Sequence, residues 1–117
     1  MVRLRNEHGT INIASDVFTI LTGDAATNCF GVKGMTVRSV TDGLVHLLKK
    51  ESMGKGVHVT YNDNGTISIV LHIAVDQDVN IPVICESIEH RVRYQVTKGT
   101  GVNVQRVDIF VDSMLIG

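Results

Sequence analysis

Apolar and polar residues alternate with a period of two in four stretches of the chain, which is typical of strands that bury one face. These stretches are residues 9–14, 57–61, 67–75 and 102–111. In the last of them the apolar positions change parity between Val104 and Val107. An extra residue in one strand of a pair produces such a change, so the pattern predicts a β-bulge near Gln105-Arg106.

The second and third stretches are separated by Asp63-Asn64-Gly65, whose composition is that of a tight turn. For Val59 and Ile69 to face the same core, residues that pair across the hairpin must have the same parity. A loop with an odd number of residues meets this condition. We therefore expect a three-residue loop in which Gly65 takes the left-handed conformation.

Two stretches before the hairpin have apolar residues at helical spacing. The first follows Ser15 and Asp16, either of which can act as an N-cap, and is expected to end at Gly31 as a left-handed C′ residue. The second is expected to begin at Thr41-Asp42 and to be broken by Gly54-Lys55-Gly56.

The clearest helical pattern of the chain lies between the hairpin and the last strand. Asn80 is placed as its N-cap, Pro82 lies in its first turn, and Gly99-Thr100-Gly101 ends it. Together the patterns predict an α+β fold in the order β-α-α-β-β-α-β. Strands with one apolar face predict two layers, a mixed or antiparallel sheet with the helices packed on one face.

Composition is consistent with a single domain over residues 1–117, of which 44% are hydrophobic. Lys and Arg total 11 against 12 Asp and Glu, so the chain lacks the basic excess of a typical nucleic-acid-binding protein. No apolar run has the length of a signal peptide or a membrane helix, so we expect no direct membrane insertion. Cys29 and Cys85 form no C-x-x-C pair, and we expect them to be reduced and buried in a cytoplasmic protein.

The segment Gly31-Val32-Lys33-Gly34 has the G-x-x-G spacing of the loop with which KH domains hold a nucleic-acid backbone. Eukaryotic-type KH domains have the order β-α-α-β-β-α and place this loop between their first two helices, as in the predicted order here. An RNA-binding module would use Gly31, Lys33, Gly34 and Arg38. Against this interpretation, residues 35–40 separate the segment from the next predicted helix, and the segment carries one lysine. The alternative is a helix stop followed by a tight turn.

The sequence contains no motif that predicts catalysis or a resident cofactor. It lacks the G-x-S-x-G motif and the phosphate-binding Gly-Lys-Ser/Thr motif. The predicted hairpin register places His58 opposite Val70 and diagonal to His72, where the two imidazoles could share a metal ion. Two ligands without a neighbouring Cys or carboxylate do not make a zinc site. We therefore expect no enzymatic activity, no cofactor and no metal.

The end of the chain is apolar, because Met114, Leu115 and Ile116 follow the last predicted strand. These residues could pack across the rim of the sheet or form a docking patch. A strand at a sheet edge can also pair with another chain through its free backbone groups. The expected interaction surface is therefore the last strand and the chain end, with Phe110, Met114, Leu115 and Ile116 as contact residues.

Three groups of positions carry a resemblance to a known family. They are Gly9-x-Ile11-x-Ile13-x-x-x-Val17 with Ala25 and Gly31-Val32; Gly34-Met35, Arg38-Ser39 and Asp42-Gly43-Leu44 with Leu47-Leu48 and Lys55-Gly56-Val57-x-Val59; and Ile81-Pro82-Val83 with Thr100-Gly101-Val102-x-Val104. In this order and spacing the chain resembles the alkaline shock protein family of Gram-positive bacteria, also called YloU-like. It departs from the family at Asn28-Cys29, where Glu-Val is usual, and at Asp76-Gln77-Asp78, where an acidic-Tyr-Gly segment is usual.

The resemblance implies a small cytosolic α+β protein without enzymatic activity. Members self-assemble, associate with the membrane through an integral membrane partner and act in cell-envelope stress. The resemblance therefore implies a homo-oligomer with a membrane anchor protein as a partner. It carries over no catalytic residues, and it favours a structural turn at Gly31-Val32 over a nucleic-acid contact.

Overall fold

A computed structural model of the chain describes residues 1–39 and 43–116. Its strands are β1 (Val2–Asn6), β2 (Gly9–Ile13), β3 (Val32–Arg38), β4 (Val45–Leu47), β5 (Val57–Tyr61), β6 (Ile67–Asp76) and β7 (Val104–Leu115). Its helices are α1 (Ser15–Thr27), α2 (Ile81–Thr100) and a 3-10 helix (Lys50–Gly56) between β4 and β5. The α+β class is confirmed, and the predicted order of elements matches in most places.

β6 is the central strand of the main sheet, because β3, β5 and β7 all pair with it. β5 pairs antiparallel with its N-terminal half and β3 antiparallel with its C-terminal half. β7 runs parallel to β6 along the opposite side. β4 extends the sheet beyond β3, and β1 and β2 form a separate antiparallel hairpin. Among the described strands only β6 pairs with β7, so β7 is an edge strand.

The core lies between the helices and one face of the sheet. The alternating residues of β6 on this face are fully buried, and every fourth residue of α2 belongs to the same apolar cluster. The two sets are Ile67, Ile69, Leu71, Ile73 and Val75, and Ile84, Ile88, Val92 and Val96. Full burial of one such aliphatic side chain contributes about 1.5–3 kcal/mol, so these two elements hold the layers together. Phe18 of α1 completes the cluster and is also fully buried.

The hairpin and the last strand follow the predicted register. Val59 lies opposite Ile69, and Gly65 has a φ of 83°, so the three-residue loop with a left-handed glycine is confirmed. In β7 the pairing with β6 skips Gln105, which confirms the predicted bulge. α2 also begins where predicted, because the side chain of Asn80 accepts a hydrogen bond from the backbone N–H of Val83 at 3.2 Å.

The second predicted helix is wrong. Its expected start, Thr41-Asp42, lies outside the described residues, and residues 45–47 form β4 rather than a helical turn. Three backbone pairs with β3 fix this strand, from Arg38 opposite Val45 to Thr36 opposite Leu47. The apolar residues here suit a strand as well as a helix, and the neighbouring strand decides between them.

The ends of α1 also differ from the prediction. The helix is preceded by Ala14 as its N-cap, without a side-chain capping bond, so neither Ser15 nor Asp16 caps it. It ends at Thr27, before Gly31 is reached. Gly31 has the expected left-handed conformation, with a φ of 88°, but it serves the turn into β3. The strand β1, which pairs with β2, was not predicted.

Candidate functional site

The outer face of the sheet, which is the face away from the helices, has His72 of β6 at its centre. The ring of His58 meets the His72 ring edge-on, with the centroids 6.0 Å apart. Phe110 of β7 stacks on His72 from the other side, with the centroids 4.9 Å apart and the planes 14° apart. The predicted diagonal placement of the two histidines is confirmed, since His58 lies opposite Val70.

A second bulge in β7, which was not predicted, brings Asp112 to this cluster. Asp112 is skipped in the pairing of β7 with β6. Its Oδ2 atom lies 2.9 Å from Nδ1 of His72 and accepts a hydrogen bond of 3.1 Å from the hydroxyl of Thr36. An ionised carboxylate can only accept, so His72 carries a proton on Nδ1 and turns Nε2 away from Asp112. The side chains of His72 and Asp112 are 28% and 17% exposed, which shelters the contact from solvent.

The two histidines do not form part of a metal site in the described ranges. Within residues 1–39 and 43–116, no group of three or more His, Cys, Asp or Glu residues is arranged to hold a metal ion. Asp112 instead uses Oδ2 for the hydrogen bonds with His72 and Thr36. His8, His46 and His90 are exposed, as predicted.

The Gly31–Gly34 segment does not join two helices, so the KH-like topology predicted for it is absent. The strand β3 already begins at Val32. A Cβ atom on Gly31 would lie 2.5 Å from Cδ1 of Ile84, so a glycine is needed for close packing on α2. The ammonium group of Lys33 lies 3.2 Å from a carboxylate oxygen of Asp76 and is therefore neutralised within the chain.

The remaining residues of that interpretation are also in structural positions. A Cβ atom on Gly34 would lie 3.0 Å from Cδ1 of Leu47, which places Gly34 under the β4 side chains. Arg38 lies at the far end of β3 and donates to the carbonyl oxygen of Gly43 at 2.7 Å. The four residues therefore do not form one phosphate clamp.

The predicted interaction residues lie on β7 and just beyond it. Phe110 is 51%, Met114 46% and Ile116 84% exposed, whereas Leu115 is half-buried. After the second bulge Met114 pairs with Val75, and Leu115 pairs with Asp76. The strand thus carries exposed apolar side chains along the edge of the sheet.

Both cysteines are free thiols. Cys29 is buried, as predicted, and its thiol donates to the carbonyl oxygen of Ala25 at 3.4 Å. Cys85 is only half-buried, and burial raises the pKa of its thiol. A raised pKa lowers the thiolate fraction at neutral pH, which makes Cys85 a poor nucleophile.

Comparison with solved structures supports the fold alone. The C-terminal domain of MamM, in its H264E variant, superposes with a TM-score of 0.53 over 84% of this chain and 93% of that domain, at 15% sequence identity. In the described residues, no helix has both the length and the apolar character that crossing a membrane requires.

Relatives in other bacteria match the chain over nearly its whole length. YloU of Bacillus subtilis is 30% identical over 116 residues, covering 98% of this chain and 96% of YloU. Spy1614 of Streptococcus pyogenes serotype M6 is 30% identical over 116 residues, covering 98% and 95%. A third relative, YqhY of Bacillus subtilis, is 30% identical over 103 residues, covering 88% and 75%.

The sequence profile of one family agrees with these relatives and with the motifs described above. The profile of the alkaline shock protein family, described as having a cell envelope-related function, matches residues 3–116. The resemblance stated from the sequence is thereby confirmed, and the chain belongs to the alkaline shock protein family.

Proposed function

We propose that the chain is a non-enzymatic interaction protein that self-assembles through the outer edge of β7 and contributes to cell-envelope homeostasis. The observation that carries the proposal is the pairing of β7, a strand of 12 residues, with β6 alone among the described strands. The envelope-related function of the family supports the cellular setting.

The outer edge of β7 is suited to strand addition after its first bulge. The guanidinium group of Arg93 donates to the carbonyl oxygens of Val104 and Gln105, so α2 satisfies the beginning of the strand. No described strand pairs with the outer edge of the residues that follow. Unpaired backbone N–H and C=O groups along a strand are a template for a strand of another chain.

The side chains of β7 add apolar area to this backbone edge. Phe110, Met114 and Ile116 are exposed, and burial of apolar surface in an interface contributes about 25 cal/mol per Å². A second copy of the chain offers the same strand and can pair with it across a two-fold axis.

The membrane connection in this proposal goes through a partner. The chain would lie in the cytoplasm and bind an integral membrane anchor protein, as the family resemblance implies. An assembled array of copies can hold such anchors with an avidity that one weak contact does not provide.

The experiment compares the wild type with a variant that carries two charges on the edge, Phe110→Lys with Met114→Lys. Charged residues, and lysine above all, discourage strand addition at an edge. The control is Phe30→Lys, because Phe30 is 92% exposed and lies away from β7 in the connection between α1 and β3. Circular dichroism melting shows whether each variant remains folded.

Size-exclusion chromatography with light scattering measures the outcome. We expect the wild type and Phe30→Lys to associate with increasing concentration, and the edge variant to remain a monomer. A wild type that stays monomeric, or a folded edge variant that associates as the wild type does, overturns the proposal. Truncation after Val111 is a less specific test, because it also removes Asp112 and its bond to His72.

A further inference from the structure

A depression of about 330 Å³ opens on the outer face of the sheet, where β3, β5, β6, β7 and the 3-10 helix meet. Three of its lining residues, Thr36, His72 and Asp112, are buried or half-buried and form its floor. Its exposed lining residues include Arg38 and Lys55. The volume is at the lower end of the range for small-molecule sites.

The polar groups at the rim are predominantly basic. Arg38, Lys55 and His58 come from three different elements and line the same depression. In the part of the chain that the structure describes, no carboxylate forms an ion pair with Arg38 or Lys55. The bond from Nη1 of Arg38 to the carbonyl oxygen of Gly43 orients the guanidinium group, which carries several further N–H donors.

The acidic residue of the depression is occupied by contacts within the chain. Oδ2 of Asp112 accepts from Thr36 and lies against Nδ1 of His72, so its charge is directed into the floor. The same contact fixes the orientation of the His72 ring and leaves Nε2 for a ligand. His72 and Asp112 together carry less negative charge toward the opening than a free carboxylate does.

The position of Lys55 depends on the glycine that follows it. A Cβ atom on Gly56 would lie 2.9 Å from the carbonyl oxygen of Thr36. Glycine thus lets the end of the 3-10 helix contact β3 directly. This contact brings Lys55 to the same depression as Arg38.

We infer that this depression binds a small oxyanion, the phosphate or carboxylate group of a small molecule. Arg38 and Lys55 supply charge, and the imidazoles of His58 and His72 supply further hydrogen-bonding atoms. The inference is independent of the assembly through β7, because the basic lining residues lie on β3, β5 and the 3-10 helix.

The test is an NMR titration of the ¹⁵N-labelled wild-type chain with sodium phosphate, and separately with sodium acetate, at pH 7 and constant ionic strength. We expect saturable shifts of the amides in residues 36–38 and 55–58 with at least one of the two anions. Saturation by phosphate alone identifies a phosphate site, and saturation by acetate alone identifies a carboxylate site. Saturation by both identifies a general oxyanion site.

Two variants separate this site from general attraction to positive charge. Lys55→Gln with His58→Gln is expected to weaken binding about tenfold, since each exposed charged contact contributes up to about 1 kcal/mol. Lys50→Gln is the control, because Lys50 begins the same 3-10 helix but does not line the depression. Shifts that do not saturate with either anion, or equal affinities in all three proteins, overturn the inference.

Discussion

Nδ1 of His72 lies 2.9 Å from Oδ2 of Asp112, although 40 residues separate the two in the sequence. The contact exists because β7 runs parallel to β6 and a bulge displaces Asp112 from the regular pairing. It links the centre of the sheet to the strand that we propose for assembly. The same contact forms the floor of the depression on the outer face.

The His72–Asp112 contact is expected to contribute measurably to stability. In a double-mutant cycle with His72→Ala and Asp112→Ala, we expect a coupling free energy of about 1 kcal/mol, as for a partly buried hydrogen bond. Urea unfolding of the four proteins gives this value. Asp108→Ala is the control, because Asp108 pairs with Arg106 at an exposed site, and its loss should cost less than about 0.5 kcal/mol. A coupling free energy of zero contradicts the account.

The two α-helices should respond differently to the loss of a polar residue at their start. Asn80→Ala removes the side chain that accepts from the N–H of Val83, and we expect a loss of about 1 kcal/mol in unfolding free energy. Ser15→Ala should change stability little, because the residue before α1, Ala14, is its cap and no side-chain capping bond exists there. Thermal or urea unfolding checks both values, and equal losses for the two variants would count against the assignment.

Gly31 and Gly65 separate backbone strain from close packing. Both have a left-handed backbone, so an alanine at either position costs about 1 kcal/mol of conformational strain. A Cβ atom on Gly65 meets nothing within 4 Å, whereas one on Gly31 meets Ile84 at 2.5 Å. We expect Gly31→Ala to lose about 1–3 kcal/mol more unfolding free energy than Gly65→Ala, the cost of overpacking. Equal losses in urea unfolding would show that the turn can relax.

Cys85 should be a slow nucleophile in the folded chain. Burial raises the pKa of its thiol, so the thiolate fraction at pH 7 is smaller than that of a free cysteine. Alkylation by iodoacetamide, followed by peptide mass spectrometry, should be slower than for a cysteine in a short peptide and should accelerate with rising pH and in urea. Alkylation at pH 7 as fast as that of the peptide would contradict this expectation.

The hairpin and α2 could be predicted because local rules determine them. The parity of Val59 and Ile69 requires an odd loop, and Gly65 supplies the left-handed residue that such a loop needs. Asn80 and Gly101 mark the ends of α2 by capping chemistry that acts within one helical turn. Neither inference depends on distant parts of the chain.

The strand β4 and the His72–Asp112 contact depend on distant pairing, and local patterns did not reveal them. The short apolar segment at Val45–Leu47 fits a strand or a helix until β3 lies beside it. The bulge at Asp112 did leave a signal in the sequence. The apolar positions change parity between Val111 and Met114, as they do between Val104 and Val107 at the first bulge.

Hydrogen–deuterium exchange of β7 at two protein concentrations tests the proposed assembly most directly. If copies pair through this edge, peptides from residues 104–115 will exchange more slowly at high concentration than at low concentration, while peptides from α2 will exchange equally at both. An oligomer that forms without any change in the exchange of residues 104–115 would show that the chain assembles through another surface.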